Sequence, residues 1–307
     1  VSIGVTTCPD DGTDPDGLIA NADMAMYRSK ELGKGRYAFF TTELNQQVSK
    51  RVELEVDLRL ALSKNQFSLY YQPKLDIARN RICGAEALIR WHHPDKGLVT
   101  PLEFIPLAEE TGLINPMGEW IVDQACAMAR EWSKVINRYF SIAVNISSRQ
   151  VRDVDLVDLI SQSLKNHQIP PECLEIEITE SAVMGNVEKA QIMFRALHDM
   201  GIKISLDDFG TGFSSLSYLR KFPISVLKVD KSFIDDIPED TDSMTMVETI
   251  ISMAQHLNLT TVAEGVETEE QLAFLREHKC NQVQGYLFAA PMPADRFVDF
   301  LKKHEAT

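Results

Sequence analysis

Seven places along the 307-residue chain carry side chains that could act together in one reaction, namely Glu86, Asn145, Glu177, the pair Asp207-Asp208, Lys228, Glu264 and Gln284. Each lies in or closes a strand-like apolar run, as Asn145 does in Val144-Asn145-Ile146 and Asp207 does after Ile202-Lys203-Ile204-Ser205-Leu206. From Glu86 onward they are 59, 32, 30, 21, 36 and 20 residues apart, close to one or two strand-helix units each time. Five carboxylates brought to one place would repel one another unless cations neutralised them. All-oxygen ligands without a His or Cys cluster suit a hard ion, Mg2+ or Mn2+, and not zinc. Asp207 and Asp208 are adjacent, and side chains alternate along a strand, so they can face one ion each only where the strand ends and its backbone turns. The Gly210-Thr211-Gly212 segment permits that turn. Two ions roughly 3.5–4 Å apart would activate water and stabilise the leaving oxygen in phosphoester cleavage.

Lys228 amid these acids is either an ion-pair partner or a group that positions or deprotonates the attacking water, or pairs with a phosphate. Arg90 has a planar fork suited to phosphate or guanine. Taken singly, an acid at a strand end is more often a helix N-cap or a solvated turn residue. Asp10-Asp11 and Asp235-Asp236 are such pairs in polar loops, and they set the standard that Asp207-Asp208 exceeds. His92 and His93 precede Pro94 in what reads as a loop and receive no role.

The elements that must position these groups alternate. Strand candidates are Phe67–Tyr71, Ile82–Ile89, Ser141–Ile146, Leu174–Ile178, Ile202–Leu206, Val226–Val229, Thr260–Ala263 and Gln282–Tyr286. Between them lie amphipathic helices, one marked by Met117, Trp120, Ile121 and Trp132, another by Ala190, Met193, Phe194 and Leu197, and a third opened by a Thr268/Gln271 capping box. Eight strands in about 250 residues fit an α/β chain folded as a (β/α)8 TIM-like barrel, in which all strand C-termini open on one face. A doubly wound open sheet is the alternative, and the GxGxxG turn it often carries is missing.

Residues 1–40 hold a short strand, an Asp/Gly/Pro loop and a helix from about Leu18 to Leu32, with Lys30, Lys34 and Arg36 near its end. They are too few for an independent core and read as the tail of a larger domain. Residues 41–52 are polar and free of Gly and Pro, a helical linker into the main domain at 53–307. The chain begins inside the strand-like run Val1-Ser2-Ile3-Gly4-Val5, so it is expected to lack its natural N-terminus, and any sensor or membrane anchor upstream would lie outside it. No apolar stretch approaches the ~20 residues that span a bilayer, and the expected location is cytoplasmic, with membrane contact only through unseen upstream regions. The net charge of −14 disfavours a DNA or RNA duplex as partner. Five cysteines without a CxxC pair read as reduced and mostly core-filling.

Eight motifs in this order resemble the EAL family of cyclic di-GMP phosphodiesterases across residues 53–307: Tyr71-Gln72-Pro73, Glu86-Ala87-Leu88-Ile89-Arg90-Trp91, Asn145-Ile146-Ser147, Glu177-Ile178-Thr179-Glu180, Asp207 to Gly212, Lys228-Val229-Asp230, Glu264-Gly265-Val266-Glu267 and Gln284-Gly285-Tyr286. The first forty residues resemble the end of a GGDEF (diguanylate cyclase) domain through Val1 to Val5, Ala22 to Tyr27 and Lys30 to Arg36, without the GGDEF signature itself. The resemblance implies a barrel whose first strand is antiparallel, and hydrolysis of cyclic di-GMP to linear pGpG in bacterial second-messenger signalling. It implies one metal on Glu86, Asn145, Glu177 and Asp207, with Asp207 bridging to a second held by Asp208 and assisted by Glu264. It assigns catalytic work to Lys228, Glu86 and Glu264, and support of the loop after Asp207-Asp208 to Glu180. Dinucleotide contacts fall to Gln72, Leu88, Arg90, Asp208, Lys228, Glu267, Gln284 and Tyr286. A homodimer through barrel helices is implied, with the segment Phe213-Ser214-Ser215-Leu216 coupling dimerisation to metal. The rival readings are a receptor that binds cyclic di-GMP without cleaving it, and a barrel enzyme of the enolase type that uses Mg2+ and a Lys base beside a substrate carboxylate.

Overall fold

The computed structural model describes residues 1–307 apart from 32, 34, 181, 183–186, 211–220, 306 and 307. The expectations for Leu32, Lys34, Thr211, Gly212 and the 213–216 segment therefore lie outside the described residues. The chain separates into two compact units, Val1–Lys64 and Asn65–Thr307.

In the first unit, β1 (Ile3–Val5) pairs in parallel with β2 (Tyr37–Phe39), and the helix Pro15–Glu31 packs on the pair. Its first turn carries Asp16 and its last Arg28 and Lys30, in the sense the helix dipole favours. A second helix spans Thr42–Ala61, so the polar run after residue 41 is helical as its composition suggests.

The second unit is a closed barrel. Its eight strands, among the described residues, are β3 (Phe67–Asp76), β4 (Arg81–His93), β6 (Ser141–Asn145), β7 (Leu174–Thr179), β8 (Lys203–Phe209), β9 (Val226–Val229), β10 (Thr260–Ala263) and β11 (Gln282–Val283). Two short strands flank it, β5 (Gly97–Val99) on β4 and β12 (Met292–Pro293) on β3. From β4 through β11 the barrel pairings are parallel, whereas β3 runs antiparallel to both of its barrel neighbours, β4 and β11, and closes the ring. The eight barrel strands are the eight candidates read from the sequence.

Several boundaries differ: β11 ends at Val283, three residues short of the expected Tyr286, β8 runs on to Phe209, past the expected end at Leu206, and β3 and β4 are longer than expected. β3 continues through Gln72-Pro73-Lys74 to Asp76: on the side away from β4 it pairs with β12 at Tyr70 and Tyr71 and with β11 at Leu75 and Asp76, and Pro73, which has no N–H to donate, falls in the gap between them. β4 continues through His92 and His93, which pair with β5 and are not in a loop. His93 is buried, and its Nδ1 accepts from the backbone amides of Asp95 and Lys96, which shapes the turn after it.

The helix Ile114–Val135 shows how sequence sets the packing. Its buried residues Ile114, Met117, Ile121, Ala125, Ala129 and Trp132 recur every three or four positions and form the stripe that covers the sheet. The helix Glu269–Glu277 opens with the Thr268/Gln271 capping box. Cys126, Cys173 and Cys280 are buried, Cys83 is half-buried and Cys8 is exposed, all as free thiols.

Candidate functional site

Registers align the acids at one level of the barrel. Gln72 pairs with Glu86 across the antiparallel hairpin, Asn145 with Glu177, and Thr179 with Asp207. Lys228 lies level with Val262, two residues before Glu264, while Ala263 lies level with Val283, one residue before Gln284. Because side chains alternate, these offsets turn the polar group of each strand into the same mouth.

Lys228 is the hub. Its Nζ lies 2.6 Å from Glu264 Oε1, 2.9 Å from Glu177 Oε2, 3.0 Å from Asp207 Oδ1 and 3.8 Å from Glu86 Oε2. Glu86 is held from its other sides, since Asn145 Nδ2 donates to its Oε1 at 2.7 Å and Gln284 Nε2 to its Oε2 at 2.6 Å. Gln284 Nε2 also donates to Gln72 Oε1 at 2.9 Å, and Gln72 Nε2 donates to the Ala289 carbonyl at 3.2 Å. Lys74, which no motif singled out, places its Nζ 2.6 Å from Glu177 Oε1 and 2.9 Å from Glu175 Oε1. Lys74 falls two residues after Gln72, on the same side of one strand, but the strand expected from the sequence stops at Tyr71, before Pro73.

Asp207 and Asp208 share the mouth for a reason that differs from the expected turn at the strand end. The β8–β9 register shifts between Leu206 and Phe209, and Asp208 takes a left-handed backbone with φ of 54°. This bulge inside the strand breaks the alternation, and Asp208 N donates to Asp207 Oδ1 at 3.0 Å. Oxygens of Asp207, Asp208 and Glu264 lie within 4.8 Å of one another, a spacing that can hold a cation.

The electrostatics follow from burial. Burial, reinforced by the neighbouring acids, pushes the Glu264 carboxyl up to about 8, and burial and Glu177 push Glu86 up. Asp208 is raised by partial burial and by the charge of Asp207. Glu177 goes the other way: burial opposes its charge, but the ammonium groups of Lys228 and Lys74 outweigh it and hold the carboxyl at about 2. Burial likewise opposes the charge of Lys228, and Glu177, Glu264, Glu86 and Asp207 overcome it, so its pKa stands well above the ordinary value.

The residues fit a divalent cation. Glu86, Glu175, Glu177, Asp207 and Glu264 share two ammonium groups, with Asp208 beside Asp207, and Gln284 Oε1 is buried there without a hydrogen-bond partner. The donors are all oxygen, as a hard ion requires.

The remaining residues singled out in the sequence lie around this cluster. Leu88 and Arg90 line a cavity of about 460 Å³ together with Ile105, Ile121, Asn145 and Thr179, and the Arg90 guanidinium lies 5.6 Å from the Tyr70 ring centre. Glu267 is farther out, where its Oε1 meets Lys231 Nζ at 2.6 Å, and the same ammonium lies 5.9 Å from the ring centre of the exposed Tyr286. Gly285 sits between Gln284 and Tyr286 because a Cβ there would meet the Val266 carbonyl oxygen at 2.0 Å. Glu180 follows β7 directly and is half-buried, while the loop assigned to its support, from residue 211, lies outside the described residues.

Comparison with known proteins gives a consistent picture. The family model described as EAL domain matches residues 55–291. Over 297 residues the chain is 43% identical to the bifunctional diguanylate cyclase/cyclic di-GMP phosphodiesterase MucR of Pseudomonas aeruginosa, covering 97% of this chain and 43% of that protein. Over 304 residues it is 40% identical to the cyclic di-GMP phosphodiesterase PdeR of Escherichia coli, covering 99% of this chain and 46% of that protein. The chain thus spans less than half the length of these curated relatives. Among solved structures it is similar to the PaMucR phosphodiesterase in complex with c-di-GMP, at a TM-score of 0.77 and 44% identity, covering 80% of this chain and 99% of that one. The EAL enzyme Bd1971 in its cAMP- and cyclic-di-GMP-bound form gives 0.80 at 31% identity, covering 95% and 77%.

Proposed function

The chain belongs to the EAL domain family, and from that premise we propose that it hydrolyses cyclic di-GMP to linear pGpG with two divalent cations, Mg2+ or Mn2+. The observation that carries this reading is the convergence of Glu86, Glu177, Asp207 and Glu264 on Lys228 at the barrel mouth. Hydrolysis breaks one P–O3′ bond: a water oxygen joins phosphorus, and the 3′ oxygen leaves with a proton. Divalent cations, once bound, supply the charge that makes water a nucleophile near neutral pH and offsets the charge growing on the leaving oxygen.

Glu86, Asn145, Glu177 and Asp207 would hold one cation, and Asp207, Asp208 and Glu264 would serve the second. Lys228, kept protonated by its neighbours, has hydrogens to donate to the attacking water or a phosphate oxygen and no lone pair to take a proton. Of the roles open to it, positioning is the one its surroundings support. Gln72 and Gln284, bonded to each other, with Gln284 also bonded to Glu86, hold the wall of the mouth on which the diester would rest. The cavity beside Leu88 and Arg90 is largely apolar with one cationic fork, the combination a guanine base with its phosphate would use. Glu267 and Tyr286, at the rim, are the groups to meet the outer half of the dinucleotide.

The same reading makes residues 1–40 the C-terminal remnant of a GGDEF-like domain and 41–52 a helical linker, places the chain in the cytoplasm and pairs two copies through barrel helices. Incubation with cyclic di-GMP, with and without Mg2+ or Mn2+, followed by resolution of the products, tests it. The expected result is pGpG only in the presence of the cation. Binding without product would replace the enzyme by a receptor.

A further inference from the structure

Lys74 and Glu175 have no place in the function just proposed, yet Lys74 bonds both Glu175 and Glu177, a residue that function assigns to a cation. β3 and β7 are not neighbours in the barrel, since β4 and β6 stand between them. The Lys74 side chain therefore crosses the lumen to reach Glu175 Oε1 at 2.9 Å and Glu177 Oε1 at 2.6 Å. Lys74, Glu175 and Glu177 are 2%, 7% and 0% exposed. Barrel interiors are usually filled with branched apolar side chains, and a buried ion pair is no more stabilising than such packing. Stability does not explain why charge is kept here.

Glu177 supplies the explanation. One of its oxygens is taken by Lys74 and the other by Lys228, at 2.6 and 2.9 Å, so its carboxylate plane is fixed from both sides. Without Lys74 the group could rotate, and it would face Glu175, two residues away on the same side of the same strand, as an uncompensated like charge. We propose that Lys74, with Glu175 as its second anchor, is a positioning residue that aims Glu177 at the cation site from the closed end of the barrel. The inference rests on the proposed function, in that Glu177 is taken as a metal ligand. Groups that orient metal ligands from behind commonly account for 10- to 100-fold in metal affinity.

The test is Lys74→Met combined with Glu175→Gln, which removes one charge of each sign and keeps the core close to neutral in balance. If Lys74 merely neutralised Glu175, the double variant would bind Mn2+ like the parent, and that result would overturn the inference. The expected result is a thermal midpoint near that of the parent with Mn2+ affinity, measured by titration calorimetry, lower by about 10- to 100-fold. On cyclic di-GMP, kcat should fall with KM little changed, and excess Mn2+ should restore it. Should the double variant fail to fold, Lys74→Arg keeps the charge but not the reach of the ammonium. A folded Lys74→Arg protein with parental Mn2+ affinity would likewise overturn the inference, and a comparable loss of affinity would uphold it. A parent chain that binds no Mn2+ sinks this inference and the proposed function together. A parent that binds Mn2+ but leaves cyclic di-GMP intact sinks only the substrate assignment, and the Mn2+ affinities still decide the role of Lys74.

Discussion

At the scale of single residues, the site is a balance of buried charge with Lys228 at its pivot. Removing one partner from a buried charge cluster leaves the others uncompensated, at a cost of about 3–5 kcal/mol. Lys228→Met should therefore lower the urea midpoint strongly in EDTA, with part of the loss recovered on adding Mn2+, and turnover should fall by about 10²-fold. An unchanged midpoint would contradict the account. Glu264 gives the pH dependence. Its carboxyl holds a proton up to about pH 8 in the cation-free chain, and a cation must displace that proton. Affinity for Mn2+ should rise about tenfold per pH unit from 6 towards 8 and then level off, with proton release visible in calorimetry across buffers of different ionisation enthalpy. Affinity independent of pH would show that Glu264 gives up no proton to the cation. The acids were legible in the sequence because each sits in or ends an apolar run. Lys74 was not, because Pro73 beside it reads as the end of a strand.

At the scale of elements, two local departures from regularity shape the mouth. The bulge in β8 turns Asp208 to the side of Asp207, a geometry that strand periodicity cannot express since it depends on a register slip between Leu206 and Phe209. The approach of Gly285 to Val266 fixes the segment carrying Gln284 and Tyr286, and both backbone bonds across it, Val266 N to the Gln284 carbonyl at 3.1 Å and Leu287 N to the Val266 carbonyl at 3.0 Å, depend on it. Gly285→Ala should destabilise the barrel by roughly 1–3 kcal/mol, read from the urea midpoint, and should raise KM through the displaced Gln284 and Tyr286. Full stability and parental KM would mean the backbone yields freely at this point. His92 and His93 were misplaced for a related reason: Pro94 signals a loop, but the antiparallel partner β5 lies just beyond it and extends β4.

At the scale of the molecule, the barrel closes because β3 runs against its neighbours, a direction that alternation of strand and helix does not encode and that only the family resemblance suggested. The C-terminal helix Ala294–Glu305 joins this closure through Phe297, which stacks on Trp132 with ring centres 4.5 Å apart and belongs to the buried cluster with Tyr71 and Phe140. Phe297→Ala should cost about 3–5 kcal/mol and loosen β3, seen as faster amide exchange along Phe67–Asp76. Light scattering with and without Mn2+ tests the proposed pairing of two copies, for which a mass near twice 34.6 kDa is expected. The most direct measurement is anomalous diffraction from crystals of the chain soaked with Mn2+ and cyclic di-GMP. The account predicts two manganese peaks among Glu86, Asn145, Glu177, Asp207, Asp208 and Glu264, with the diester beside them. Peaks elsewhere, or none at this mouth, would contradict it.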